Sequence, residues 1–354
     1  MDDNLVVHFG AGALGRGLVV PILVESEKNV VLVDSNEDLV QLLKNQKGYQ
    51  LTLSDALENK QFINIVDSIS PIKEENKVIA YLNKAKIVTT SVRRENLIHV
   101  AKVVAKAWKN ESCNNRKIIC CENVEHVGSI FKNLLLEQVS EKEAHNLKEI
   151  MIPDTIVDRI CAVDHNYHVT SEQFYELSVD KKILKTTGIR KITSIDNITG
   201  HFYRKRYLLN SYADAISFIA LSNGFQYLYE AAIDEDINNT VASYIELLKT
   251  LLHVKYKIDT QELHTWFEKY RKRLINKKIP RELETVARNL DTKLSLEERF
   301  ISPIVELEEL GYDYSKGLDF IKLLIHSNTL IQLEKTWCHS ECGKEVYKKF
   351  KKQF

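Results

Sequence analysis

No stretch of this sequence reaches the roughly 18 consecutive apolar residues of a helical membrane span, so no membrane-embedded segment is expected. Proline and glycine are scarce, at 5 and 12 among 354 residues, which excludes collagen-like and low-complexity chains. Charge of neither sign dominates. The 49 basic and 49 acidic residues cancel, which removes the whole-chain positive field on which non-specific nucleic-acid binding depends. The six cysteines, Cys113, Cys120, Cys121, Cys161, Cys338 and Cys342, are too scattered to form a disulfide framework. Cys338, His339 and Cys342 resemble half of a zinc set, but no second Cys/His pair lies at suitable spacing, and no metal is expected. There is no Gly-x-Ser-x-Gly nucleophile turn and no Gly-Lys-Ser/Thr phosphate loop, so hydrolase and kinase readings have no footing. The opening Met-Asp-Asp-Asn carries acids where a signal peptide carries positive charge. The expected location is cytoplasmic, with neither membrane nor nucleic acid as a partner.

What is present is the composition of a folded chain, 44% hydrophobic and 28% charged, long enough for about two domains. Short β-branched runs near residues 5, 30, 86 and 118 alternate with helical patterns, the rhythm of βαβ units and a parallel sheet. The stretch from about 180 to 200 is polar and lacks a sustained period, so it reads as the connection between domains. Beyond it the period becomes helical: Leu208, Leu209, Tyr212, Ile216 and Ile219 share one face, and Val241, Tyr244, Ile245, Leu248 and Leu252 another. The closing KEVYKKFKKQF reads as a solvated basic helix. The expectation is an α/β protein: a Rossmann-type doubly wound parallel sheet over residues 1–190, then a mostly α-helical substrate-binding domain over residues 191–354.

The first strand runs directly into Gly10-Ala11-Gly12-Ala13-Leu14-Gly15, followed by apolar Leu18, Val19, Ile22 and Leu23 at helical spacing. This is G-x-G-x-x-G in its required strand-to-helix context. Gly10 suits a tight turn, Gly12 admits a pyrophosphate against the backbone, and Gly15 lets helix and sheet pack closely. Asp34 ends the second strand nineteen residues after Gly15, where a carboxylate takes the adenosine ribose hydroxyls and repels a 2′-phosphate. The implied cofactor is NAD. Thr89, Thr90 and Ser91 end the third β-branched run, where they either approach the cofactor or cap the next helix.

Several ordered blocks carry a family resemblance: HFGAGALGRG, VTTSV, CENV, IVDRI, EQFYELSVDK and VARNLDTKLS, spread from about residue 7 to about residue 325. In these the chain resembles the polyol-specific long-chain dehydrogenases. The resemblance implies metal-independent hydride transfer between a secondary alcohol carbon and a nicotinamide, with a lysine as general base and two asparagines holding the alcohol oxygen. It assigns these roles to Lys205, Asn210 and Asn123. On an α-helix, positions five apart are offset by about 140°, so Lys205 and Asn210 would flank a pocket edge without touching. The family's histidine, three positions beyond that asparagine, is replaced by Ala213, with Asp214 beside it. His201, His126 and Tyr212 are the substitutes on offer.

The resemblance further assigns Asp158, Arg288 and Lys293 to substrate, while Arg159 beside Asp158 either meets substrate or pairs with an acid. Thr292 stands where the phosphorylated-substrate enzymes usually carry another arginine. A guanidinium clamp for phosphate then falls to Arg159, Arg204, Arg206 or Arg288. The implied reaction interconverts fructose 6-phosphate with mannitol 1-phosphate, in a monomer or homodimer. The alternatives are a dehydrogenase of an unphosphorylated hexitol or a uronate-type sugar acid, or a protein that binds NAD without turnover.

Overall fold

The computed structural model describes residues 2–56, 60–110 and 113–325, with 344, 347–348 and 351–352. Cys338, His339, Cys342 and most of the basic tail lie outside the described residues. The chain divides into two compact units, Met1–Ile198 and Thr199–Phe354.

Among its described residues the first unit is organised by twelve short strands: β1 (Asp2–Phe9), β2 (Asn29–Val33), β3 (Gly48–Leu53), β4 (Lys60–Asn64), β5 (Asp67–Ile69), β6 (Ala85–Thr90), β7 (Lys117–Cys120), β8 (Thr155–Asp158), β9 (Cys161–Val163), β10 (Val169–Ser171), β11 (Glu176–Asp180) and β12 (Thr193–Ile195). Its main sheet has the order β5-β2-β1-β6-β7, and every pairing in it is parallel. The cause is visible in the strands. Val6, Val7, Val30, Val31, Leu32, Ile118 and Ile119 are all buried, so both sheet faces need covering, and crossover helices cover them. Numbered within that sheet, the order is 3-2-1-4-5, the doubly wound arrangement. Chain progression reverses between β1 and β6, which places the carboxyl ends Phe9 and Thr90 side by side at the switch point.

Two smaller sheets, β4-β3-β10-β9 and β12-β11-β8, have no counterpart in the sequence reading. Several of their strands are only three residues long, too short to display a period. They also correct the reading of residues 180–200 as a polar connection. β11 and β12 pair there, and Leu184, Ile189 and Ile192 are buried in the core of the first unit.

Among the described residues, every named element of the second unit is a helix. Helix Ile198–Lys205 runs through a π-helical stretch, Arg206–Ser211, into helix Tyr212–Ser222. Helices Glu235–Val254 and Thr260–Leu274 follow, each opened by an aspartate: Asp234 accepts from the Ile237 N–H, and Asp259 from those of Gln261 and Glu262. The expected faces are inside, apart from half-buried Ile219. No helix among the described residues is long and apolar enough to cross a membrane.

Tyr244 anchors this core, stacked on Phe320 at 4.5 Å between centroids and donating its hydroxyl to the Arg299 carbonyl at 3.0 Å. The two contributions separate by substitution. Tyr244→Phe is expected to lower stability by about 1 kcal/mol through the lost hydrogen bond, and Tyr244→Ala by about 4 kcal/mol through the cavity, both read by urea denaturation.

Candidate active site

The glycine turn is shaped by three different constraints. Gly10 has φ +101°, and a Cβ there would lie 2.5 Å from the Ser91 carbonyl oxygen. At Gly15 a Cβ would lie 2.7 Å from both His8 Nε2 and Ser91 Oγ. Gly12 has nothing within 4 Å of its Cβ position and faces open space. Crowding therefore requires glycine at positions 10 and 15, whereas Gly12 leaves the backbone accessible. Ala13 and Leu14 are half-buried beyond it, and a π-helical turn, Gly15–Val19, leads into helix Val20–Glu25.

Asp34 is joined to this turn directly. Its Oδ2 accepts the Ala11 N–H at 2.6 Å and its Oδ1 the Asn36 N–H at 2.8 Å. A carboxylate has about four acceptor positions, so capacity remains for the hydroxyls of a ribose. Arg16, fully buried, folds back and donates to the Ala11 carbonyl at 2.6 Å and the Tyr167 carbonyl at 2.5 Å. Beside the turn opens a cleft of about 970 Å³, lined by Gly10, Gly12, Asp34, Ile72, Ser91 and Arg93 among others. Ala11, Thr89 and Thr90 lie buried behind it. An accessible glycine backbone, a crowded turn and a carboxylate with spare acceptors fit a dinucleotide.

The threonines at the end of β6 are held from behind. Thr89 Oγ1 lies 2.7 Å from His8 Nδ1, while His8 Nε2 lies 2.9 Å from the Gly10 carbonyl and 3.0 Å from Ser91 Oγ. Only an N–H can meet a carbonyl, so Nε2 carries the proton and Nδ1 accepts from Thr89. Burial drives the pKa of His8 down to about 4, partly opposed by its bond to Gly10. Thr90 Oγ1 donates to Glu122 Oε2 at 2.8 Å, and the Val92 N–H to Glu122 Oε1 at 2.9 Å. Burial raises the Glu122 pKa against the effect of these bonds. Sequence reading passed over both His8 and Glu122. Their signal was an imidazole within the apolar run Leu5–Phe9 and an acid directly after a buried Cys-Cys pair.

Asn123 follows Glu122 and is exposed. His126, on the same loop, is held with Nδ1 3.3 Å from Asp154 Oδ2. Asp158 is buried at the end of β8. Arg159 donates Nε to the Glu172 carbonyl at 2.7 Å and Nη1 to the Gly17 carbonyl at 2.8 Å, so its guanidinium braces backbone.

In the second unit Lys205 is only 8% exposed, and Asn210 is half-buried five residues on. The intervening turn is π-helical. Because i→i+5 bonding widens that turn, residues five apart come onto one side, as residues four apart do on an α-helix. The α-helical offset expected from spacing alone is thereby corrected. His201 lies one turn before Lys205 and bonds Arg204 at 2.9 Å. Arg204 itself is fully buried, with its guanidinium carbon 3.7 Å from the centre of the Trp266 ring, and Arg206 pairs with Glu298. Tyr212 bonds Asn238.

Ala213 is buried, and Asp214 beside it takes Lys293 Nζ on one oxygen and Arg299 Nη1 on the other, each at 3.0 Å. Lys293 also donates to the Val286 carbonyl at 2.5 Å. Burial lowers the pKa of Lys293 and raises that of Asp214, each partly offset by the pairing. Both line a cleft of about 580 Å³ that also contains Arg281 and exposed Arg288. Among the described residues no cluster of three His, Cys, Asp or Glu side chains could hold a metal ion.

A glycine-rich turn at the switch point of a doubly wound sheet, followed by an all-helical unit bearing a buried lysine, defines a two-unit Rossmann dehydrogenase. The chain belongs to the mannitol dehydrogenase family. Residues 4–191 match the model described as the mannitol dehydrogenase Rossmann domain, and residues 197–327 that of the mannitol dehydrogenase C-terminal domain. It is 29% identical to a mannitol-1-phosphate 5-dehydrogenase of Geobacillus stearothermophilus, covering 89% of this chain and 85% of that one. A mannitol-1-phosphate 5-dehydrogenase of Thermoanaerobacter pseudethanolicus is 30% identical, with 86% and 81% covered. The fold is also that of Pseudomonas fluorescens mannitol 2-dehydrogenase, solved with NAD and D-mannitol: TM-score 0.74 and 15% identity over 94% of this chain and 79% of that one.

The clasp around His8 carries a pH signature. Its folded-state pKa lies below the ordinary 6.5, so the folded protein disfavours the proton that the unfolded chain accepts. The stability due to neutral His8 is fully present above about pH 6.5 and is lost as the pH falls to about 4, a loss of about 3 kcal/mol. Melting curves of the wild type and His8→Asn across this window are expected to show a smaller pH-dependent drop in the variant.

Proposed function

We propose that this chain catalyses the NAD-dependent interconversion of mannitol 1-phosphate and fructose 6-phosphate. The observation that carries the reading is the buried Lys205 with Asn210 brought onto its side, in a chain whose relatives are named for this reaction. In the first unit, Gly10, Gly12 and Gly15 seat the cofactor phosphates at the start of the helix, with Ala11, Ala13 and Leu14 completing the turn. Asp34 takes the adenosine ribose hydroxyls, and Thr89, Thr90 and Ser91 border the cofactor. When bound, NAD supplies the hydride acceptor for alcohol oxidation.

Lys205 takes the hydroxyl proton as the carbonyl forms. A lysine works as a base near neutral pH only where burial or nearby cations favour the neutral amine, and Lys205 is only 8% exposed. Asn123 and Asn210 donate amide N–H bonds to the alcohol oxygen, stabilising alkoxide character without a competing proton. Asp158 meets a substrate hydroxyl, and Arg288 and Lys293 meet the substrate's anionic end. Arg159 serves this region by bracing the Gly17 and Glu172 carbonyls.

One observation favours a second substrate class. The Lys293 ammonium is already bonded to Asp214 and Val286, and Thr292 adds no charge, which weakens phosphate recognition relative to an unphosphorylated hexitol or a uronate. A panel of fructose 6-phosphate, fructose and fructuronate, followed by NADH absorbance with NADPH as the cofactor control, decides between them. Turnover is expected with fructose 6-phosphate. Turnover confined to another ketose would move the assignment to the second class, and NADH binding without any turnover would reject the enzymatic reading. Lys205→Ala is expected to lower kcat by roughly 10²–10⁴-fold while NADH affinity stays unchanged.

A further inference from the structure

The segment after β6 contains a residue in a conformation that its side chain disfavours. Arg93 has φ 72° and ψ 154°, a backbone region occupied almost only by glycine. Its neighbours fix it there. The Val92 N–H is held by Glu122 at 2.9 Å, the Val92 carbonyl accepts from Asn96 Nδ2 at 2.7 Å, and the Arg93 carbonyl accepts from the Asn96 N–H at 3.1 Å. Two residues earlier, the Ser91 carbonyl sits against Gly10. The strained residue is therefore anchored to the glycine turn through a short, rigid stretch of chain, and it lines the same cleft as Gly10, Gly12 and Asp34.

The charges of that cleft differ in their engagement. Lys106 pairs with Glu75 at 2.6 Å, and Lys109 with Glu143 at 2.9 Å. Arg93 and Lys102 are exposed and neither has an ion pair among the described residues, but of the two only Arg93 sits on strained backbone. A glycine would relieve the backbone at this position, yet an arginine stands there with its charge uncompensated beside the open face of Gly12. Strain retained at an over-determined position next to a ligand cleft points to a binding role.

We propose that Arg93 is a phosphate-binding residue of this cleft, its guanidinium closing on the pyrophosphate of the dinucleotide that the glycine turn seats. This rests on the reading of the cleft as the cofactor site. Guanidinium–phosphate bonds are charge-assisted and geometrically specific, which suits a flexible pyrophosphate better than a backbone turn alone does.

The test uses Arg93→Gly in the full chain, a substitution that the backbone accepts without strain. Affinities for NADH, NADPH, ADP-ribose and adenosine are measured by fluorescence titration and competition, alongside the melting temperature. The expected result is about tenfold weaker binding of NADH and ADP-ribose, with adenosine unchanged and the melting temperature not lowered. Arg93→Lys should fall between the two, because it keeps the charge and loses the fork. Unchanged NADH affinity, an equal loss for adenosine, or a loss confined to NADPH would each overturn the proposal. If the wild type bound neither NADH nor ADP-ribose, the cofactor reading would fail first, before any variant was compared.

Discussion

A neutral imidazole wedged between two strand ends is the constraint on which the nucleotide half depends. His8 belongs to β1, and its Nδ1 meets Thr89 at the end of β6, while its Nε2 bonds the carbonyl of the first glycine of the turn and lies 3.0 Å from Ser91 Oγ. The switch point of a doubly wound sheet is a gap by construction, because helices leave from its two sides in opposite directions. Here a ring bonded on both nitrogens spans that gap. The crowding at Gly10 and Gly15 then follows, since Ser91 and His8 occupy the space that a side chain at either position would need.

The parts of this molecule legible in its sequence are those where local geometry dictates residue type at fixed spacing. The glycine turn is one, because the approach of Ser91 and the positive φ of Gly10 exclude other residues. Asp34 is another, since a strand of five residues sets its distance from the turn. The buried helical faces were legible because Val241, Tyr244, Ile245, Leu248 and Leu252 recur at the helical period. What escaped depends on partners far along the chain. His8 meets Thr89 eighty-one residues away, and Asp214 meets Lys293 seventy-nine residues away. Nothing in the composition around residue 190 distinguishes a polar connector from a stretch between two short strands that buries Leu184, Ile189 and Ile192.

The second unit shows how charge is handled away from water. Asp214 joins two cations, Lys293 and Arg299, and lies next to Ala213, where the resemblance leads one to expect a histidine. A buried carboxylate with one partner would leave acceptors unsatisfied; with two cations its desolvation is better compensated, and a network rather than a pair results.

The π-helical stretch Arg206–Ser211 amounts to one residue more than an α-helix of the same length along its axis would contain. The wide turn absorbs that residue, so removing one between Lys205 and Asn210 would restore regular winding and leave everything beyond at nearly the same facing relative to Lys205. The apolar residues of Tyr212–Ser222 would keep to the core, and the asparagine, now four positions from the lysine, would stay on its side. Facing in this helix is therefore carried by the geometry of the turn and not by residue count, and a lineage could gain or shed the extra residue while keeping both the core and the lysine–asparagine pair in register.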